Sequence, residues 1–102
     1  MSANVIVTIS YPVKLDKIAQ YQHLVDQFIR LVNETQTTLT VSLYASDEKA
    51  NGFVEVYECS NNESFDNLED NYDEPTRELV VAISDCIEER QTIRTLRPSV
   101  LA

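Results

Sequence analysis

The chain has no tryptophan, one glycine, one histidine, three prolines and two cysteines among its 102 residues. With a single glycine it cannot build a Gly-rich phosphate-binding loop. So little glycine and proline also excludes a collagen-like or disordered chain. The lone His23 falls on a predicted helix opposite the apolar stripe, among Ala19, Asp26 and Arg30, so it is expected in solvent, and no Ser-His-Asp set assembles around it. Cys59 and Cys86 share no metal or redox spacing and are expected at opposite ends of the domain as two reduced thiols. Basic residues are scarce: 8 against 17 acids give a net charge of −9. That field repels phosphate backbones and anionic bilayers, so neither nucleic acid nor a membrane is an expected partner. No run of ~18 apolar residues occurs, and Met1-Ser2-Ala3-Asn4 is not a basic stretch leading into a long apolar one. A cytoplasmic location is expected. The acidic run Glu63, Asp66, Glu69, Asp70, Asp73 and Glu74 lacks the glycine and oxygen spacing of a calcium loop, and no metal is expected there.

What the chain does have is 43% hydrophobic and 25% charged residues, near globular averages. Its length predicts a single domain over residues 1–102, with a thin core that favours help from a partner subunit. Val5, Val7, Ile9 and Tyr11 alternate with Ile6, Thr8 and Ser10 and predict a strand over 4–12. Ile18, Tyr21, Val25, Phe28 and Val32 recur at helical spacing and predict a helix over 16–34. Alternation returns over 38–45. A polar segment ending in Asn51-Gly52 then predicts a hairpin into Phe53-Val54-Glu55-Val56-Tyr57-Glu58. Ser60-Asn61-Asn62 precedes a short segment around Phe65 and Leu68. Pro75 opens a second helix reaching about Arg90, and Thr92 to Leu96 is a last strand closed by Pro98. The order β-α-β-β-α-β is that of an α+β ferredoxin-like plait: an antiparallel four-stranded sheet in the order 4-1-3-2 with both helices on one face.

Parity divides the strand residues into two sets. Val5, Val7, Ile9, Leu39, Val41, Leu43, Val54, Val56 and Ile93 are wholly apolar and are expected under the helices. The other set, Ile6, Thr8, Ser10, Thr40, Ser42, Tyr44, Phe53, Glu55, Tyr57, Arg94 and Leu96, mixes aliphatic, aromatic, hydroxyl and charged groups. Such a face invites a covering subunit, which predicts a homodimer enclosing either a small-molecule pocket or a filled interface.

In length, element order, the polar hairpin before Phe53–Glu58 and the Ser60-to-Leu68 segment, nearly the whole chain resembles the dimeric α/β-barrel proteins, particularly the antibiotic-biosynthesis-monooxygenase-like domains. The resemblance implies sheets paired face to face, and oxidation of phenol- or quinol-like compounds without a metal, flavin or other cofactor. Members often carry a His after strand three, where this chain has Phe65-Asp66-Asn67-Leu68. The haem degraders of the family use Trp and a haem-ligating His, and the chain has no Trp.

Glu55 and Arg94 are the candidate catalytic residues. One strand separates theirs, and two sheet spacings of about 9–10 Å are within reach of two long side chains crossing Thr8 or Ser10. The bland reading is an interface ion pair. The functional one is that the pair binds or deprotonates a phenol-like or carboxylate ligand, with Tyr44, Tyr57, Thr8, Ser42 and Phe53 as ligand-binding residues. A non-catalytic binding or interaction module of the same fold is the alternative, and an acidic surface docking onto a basic protein is a third reading.

Overall fold

The computed structural model describes residues 5–88 and 91–97. The expectations placed on residues 1–4, on Arg90 and on Pro98 lie outside them. Strands β1 (Val5–Pro12), β2 (Leu39–Ala45), β3 (Gly52–Cys59) and β4 (Thr92–Leu96) form one antiparallel sheet. Between them run α1 (Ile18–Thr35), α2 (Ser64–Asp70) and α3 (Glu74–Ser84), with a 3-10 turn at Leu15–Lys17. The strand order β2-β3-β1-β4 is the ferredoxin-like one.

Period and punctuation explain the elements. β1 alternates buried and half-buried residues along its whole length, and α1 buries Tyr21, Val25, Phe28 and Val32 at steps of three and four. Asp73 caps α3 by accepting the Thr76 N–H at 2.9 Å, with Pro75 in the first turn where its missing N–H costs nothing. α3 ends at Ser84, short of the expected residue 90, because the chain beyond it is taken up by the end of β1. Lys14 N–H donates to the Cys86 carbonyl at 2.8 Å and Glu88 N–H to the Pro12 carbonyl at 2.9 Å, around a bridge between Val13 and Ile87. In the β2–β3 hairpin, a Cβ on Gly52 would stand 3.1 Å from that of Ser46 and 3.3 Å from that of Lys49. The close approach, not a left-handed backbone, explains the glycine. Cys59 and Cys86 are both buried free thiols.

Two expectations are corrected. The sheet is not closed into a barrel: β2 and β4 are its two edges, each paired on one side only among the described residues. Four strands are too few for closure, since about eight are needed before the interior holds side chains. The outer edge of β2 is instead occupied by α1, where the Asn33 amide donates to the Val41 carbonyl at 3.0 Å and accepts the Val41 N–H at 2.8 Å.

The second correction concerns β3. Val7 pairs with Tyr57, Ile9 with Glu55 and Tyr11 with Phe53, while Val41 pairs with Tyr57 and Leu43 with Glu55. Directly paired residues share a face. Phe53, Glu55, Tyr57 and Cys59 therefore lie under the helices, and Val54 and Val56 face outward. The cause is the hairpin, whose loop sets Ala45 opposite Phe53 and so places the rest of the strand. Ile93 does share the covered side with Ile9, yet it is 57% exposed, because β4 is an edge strand that the helices do not blanket.

Candidate functional site

Glu55 is 7% exposed and Tyr57 2%, both beneath the helices. One Glu55 carboxylate oxygen accepts the Tyr57 hydroxyl at 2.5 Å and the other accepts the Tyr11 hydroxyl. Behind Tyr11, its oxygen lies 2.7 Å from that of Tyr21. Tyr11 spends its one proton on the carboxylate, so Tyr21 is the donor in that outer bond. β1 supplies Tyr11, α1 supplies Tyr21 and β3 supplies Glu55 and Tyr57. Rings lock the network in place. Tyr11 meets Tyr21 edge-on with centroids 5.9 Å apart, and Tyr21 packs on Phe53 at 4.9 Å.

The carboxylate has no cationic partner among the described residues, where the ion pair formed is Arg30 with Asp26, on the outside of α1. Two charge-assisted hydrogen bonds contribute about 1.5–3 kcal/mol each, against a desolvation cost of several kcal/mol for a buried carboxylate. Desolvation wins: burial raises the Glu55 pKa and the bonds from Tyr11 and Tyr57 offset only part of the rise. Burial, and after it the Glu55 charge, holds the Tyr11 and Tyr57 hydroxyls far above the usual phenol range. Burial also raises Tyr21. Across ordinary pH the phenols keep their protons, so titration in the network belongs to Glu55.

Beside this network, between sheet and helices, is a cavity of about 120 Å³ whose walls include Glu55, Tyr57, Phe28, Phe65, Tyr72 and Glu69. The rings stand in two edge-to-face pairs, Tyr57 with Phe65 at 4.9 Å and Phe28 with Tyr72 at 6.2 Å. Phe65 is set by α2, whose buried side chains are Ser64, Phe65 and Leu68. Burial, followed by the neighbouring Asp66 and Asp70 charges, raises the Glu69 carboxyl. Burial and then the Glu69 charge raise the Tyr72 hydroxyl.

The structure separates the residues that the sequence groups. Glu55 and Tyr57 share the cavity wall, and Phe53 packs behind them on Tyr21. Arg94 pairs with Thr8 on the outer face of the sheet, one residue out of phase with Ile9 and Glu55, so the sheet itself lies between Arg94 and Glu55. Thr8 and Arg94 line a broad open cleft on that outer face, together with Ser10 and Lys49. Ser42 and Tyr44 share its parity, opposite Val56 and Val54. Tyr11, Tyr21, Tyr72, Glu69, Phe28 and Phe65 are site residues that sequence reasoning misses. One signal is available: Tyr11 and Tyr21 both fall at core positions, and two buried hydroxyls require polar company. His23 is exposed beside Gln27. No group of three or more His, Cys, Asp or Glu among the described residues could hold a metal ion, and no described helix is long and apolar enough to cross a membrane.

No protein-family model and no curated protein sequence matches the chain. Solved structures do. A structure described as an antibiotic biosynthesis monooxygenase superposes with a TM-score of 0.80 at 16% identity, covering 93% of this chain and 98% of its own. A conserved protein from Methanosarcina mazei Go1 gives 0.80 at 16% identity over 95% of this chain and 94% of that one. A point mutant of SnoaB, a cofactor-independent oxygenase from Streptomyces nogalater, gives 0.74 at 11% identity over 99% and 100%. The chain thus shares the ferredoxin-like fold of these structures.

Proposed function

We propose that the chain, acting as one domain, binds a small phenol- or quinol-like compound in the cavity between sheet and helices, with Glu55 as the base that takes its hydroxyl proton. The observation that carries this reading is a carboxylate 7% exposed, without a cationic partner among the described residues, on the wall of an aromatic cavity. Such a group is a stronger base than an exposed glutamate, because its conjugate acid gives up the proton less readily. In the transfer the ligand O–H bond breaks, the proton goes to a Glu55 oxygen, and the electron pair stays on the ligand as a phenolate. Tyr11 and Tyr57 hold the carboxylate in place; once it is neutral, the hydroxyl facing the protonated oxygen turns to accept and the other goes on donating to the carbonyl oxygen. An electron-rich phenolate is the form that reacts with dioxygen, in keeping with the oxygenase activity named for SnoaB.

The likeness in fold supports this reading without supplying a substrate. A non-catalytic ligand-binding module is the second reading, favoured by one observation: both Glu55 oxygens are already hydrogen-bonded. Oxygen consumption with a panel of phenols and quinols separates the two. Turnover lost in Glu55→Gln and kept in Arg94→Met supports the base. Saturable binding without any oxygen uptake supports the module. A second copy of the chain is the proposed cover of the outer face, where Tyr44 is 58% and Leu96 52% exposed. Glu58 and Arg94 on that face carry opposite charges, which suits a two-fold contact, and sedimentation at two ionic strengths tests it.

A further inference from the structure

The cavity wall holds two carboxylates, Glu55 and Glu69, and four aromatic rings, Phe28, Tyr57, Phe65 and Tyr72, and no described residue lining it is cationic. An anion entering would meet two negative groups and, among the described residues, no countercharge. A neutral ligand with no proton to give would gain burial but leave the Glu55 charge without compensation. A cationic head would gain attraction to the aromatic rings, strongest where water is excluded, and would also supply the countercharge that Glu55 lacks among the described residues.

We propose that this cavity is an organic-cation site, taking a methylated ammonium or protonated amine small enough for about 120 Å³. An apolar cavity of about 150 Å³ accepts benzene, so the head is limited to roughly five or six heavy atoms. The inference shares its cavity with the function proposed above but requires no turnover. Glu55 is faced by Tyr11 from β1, Tyr57 from its own strand and Tyr21 behind Tyr11, with Tyr72 and Glu69 across the cavity. None of these is cationic. A bound cation therefore favours the ionised carboxylate, and occupancy drives proton release.

Three near-isosteric probes test the idea on the whole chain: tetramethylammonium, tert-butanol and pivalate, each titrated at constant ionic strength while the ring resonances of Tyr57, Phe65 and Tyr72 are followed by NMR. Tetramethylammonium is expected to shift these rings saturably at pH 7, to bind at least tenfold more weakly at pH 4, and to lose at least tenfold in affinity in Glu69→Gln and in Tyr72→Leu. Tert-butanol is expected to bind more weakly and pivalate not at all. Equal binding of tert-butanol and tetramethylammonium would show selection by shape alone and overturn the proposal, as would the absence of any shift in a folded protein. Phenol binding with no response to the cation sinks this inference and leaves the phenol reading standing. Cation binding without phenol-dependent oxygen uptake does the reverse.

Discussion

The two faces of the sheet carry similar residues to opposite ends. The covered face has Tyr57 and Glu55 at 2% and 7% exposure, and the outer face has Tyr44 at 58%, with Glu58 and Arg94 also exposed. A tyrosine and a glutamate occur on each. Under the helices they form one hydrogen-bonded network whose proton affinities are all displaced upward. Outside they stand in solvent. Depth, rather than residue type, makes a carboxylate chemically unusual, and depth here is decided by the one-residue phase of β3.

That contrast is broken most directly by removing a ring from each face. Tyr57→Ala empties a fully buried position and strips Glu55 of a donor, so urea unfolding should show a loss of about 3–5 kcal/mol. Tyr44→Ala, on the outer face, should stay within about 0.5 kcal/mol in the monomer. Equal losses would mean that the outer face is as tightly packed as the core.

The next effect is a pH dependence confined to the covered face. The folded pKa of Glu55 lies above the unfolded value of ~4.3, so between the two the folded state binds more protons than the unfolded one. Its contribution is fully present below ~4.3, declines as pH rises through the folded pKa, and is constant above it. This is opposite in sign to a salt-bridged carboxylate. Denaturant midpoints measured from pH 4 to 9 should show the decline in the native chain. They should show a smaller one in Glu55→Gln, where Glu69, shifted in the same direction, remains. The shift itself is readable as the ¹³C titration of the Glu55 carboxyl.

A smaller effect belongs to the edges where the two faces meet. Asn33 satisfies both outward backbone groups of Val41 on β2. Asn33→Ala should cost about 1 kcal/mol and speed amide exchange at Val41, while leaving β4, at the far edge, unchanged.

Much of this is legible in the sequence. Alternation, helical spacing, Pro75 and Asn51-Gly52 each act locally, and together they predict the element order and the strand order. The phase of β3 is harder, since Phe53-Val54-Glu55-Val56-Tyr57 has apolar residues at both parities and the carboxylate points a reader to the wrong side as the wet one. A clue lies further along: Cys59 is in phase with Phe53, Glu55 and Tyr57, and a free cysteine is commonly buried. The network itself cannot be seen without that phase, because its members come from β1, α1 and β3 and no spacing links them. Nor does any residue in β2 or β4 announce that the sheet remains open.

The smallest expected effect is the most discriminating. Two sheet spacings and complementary charge pair Arg94 with Glu55 in the sequence, and the register places the sheet between them. A guanidinium a few ångströms from a buried carboxylate would pull its pKa down by about one to three units, whereas one screened by solvent on the opposite face has almost no grip on it. Arg94→Met should therefore leave the Glu55 titration unmoved and change monomer stability by less than about 0.5 kcal/mol. A rise in the Glu55 pKa on losing Arg94 would mean that the two groups meet in solution. The phase of β3, and with it the cavity as the seat of chemistry, would then be wrong.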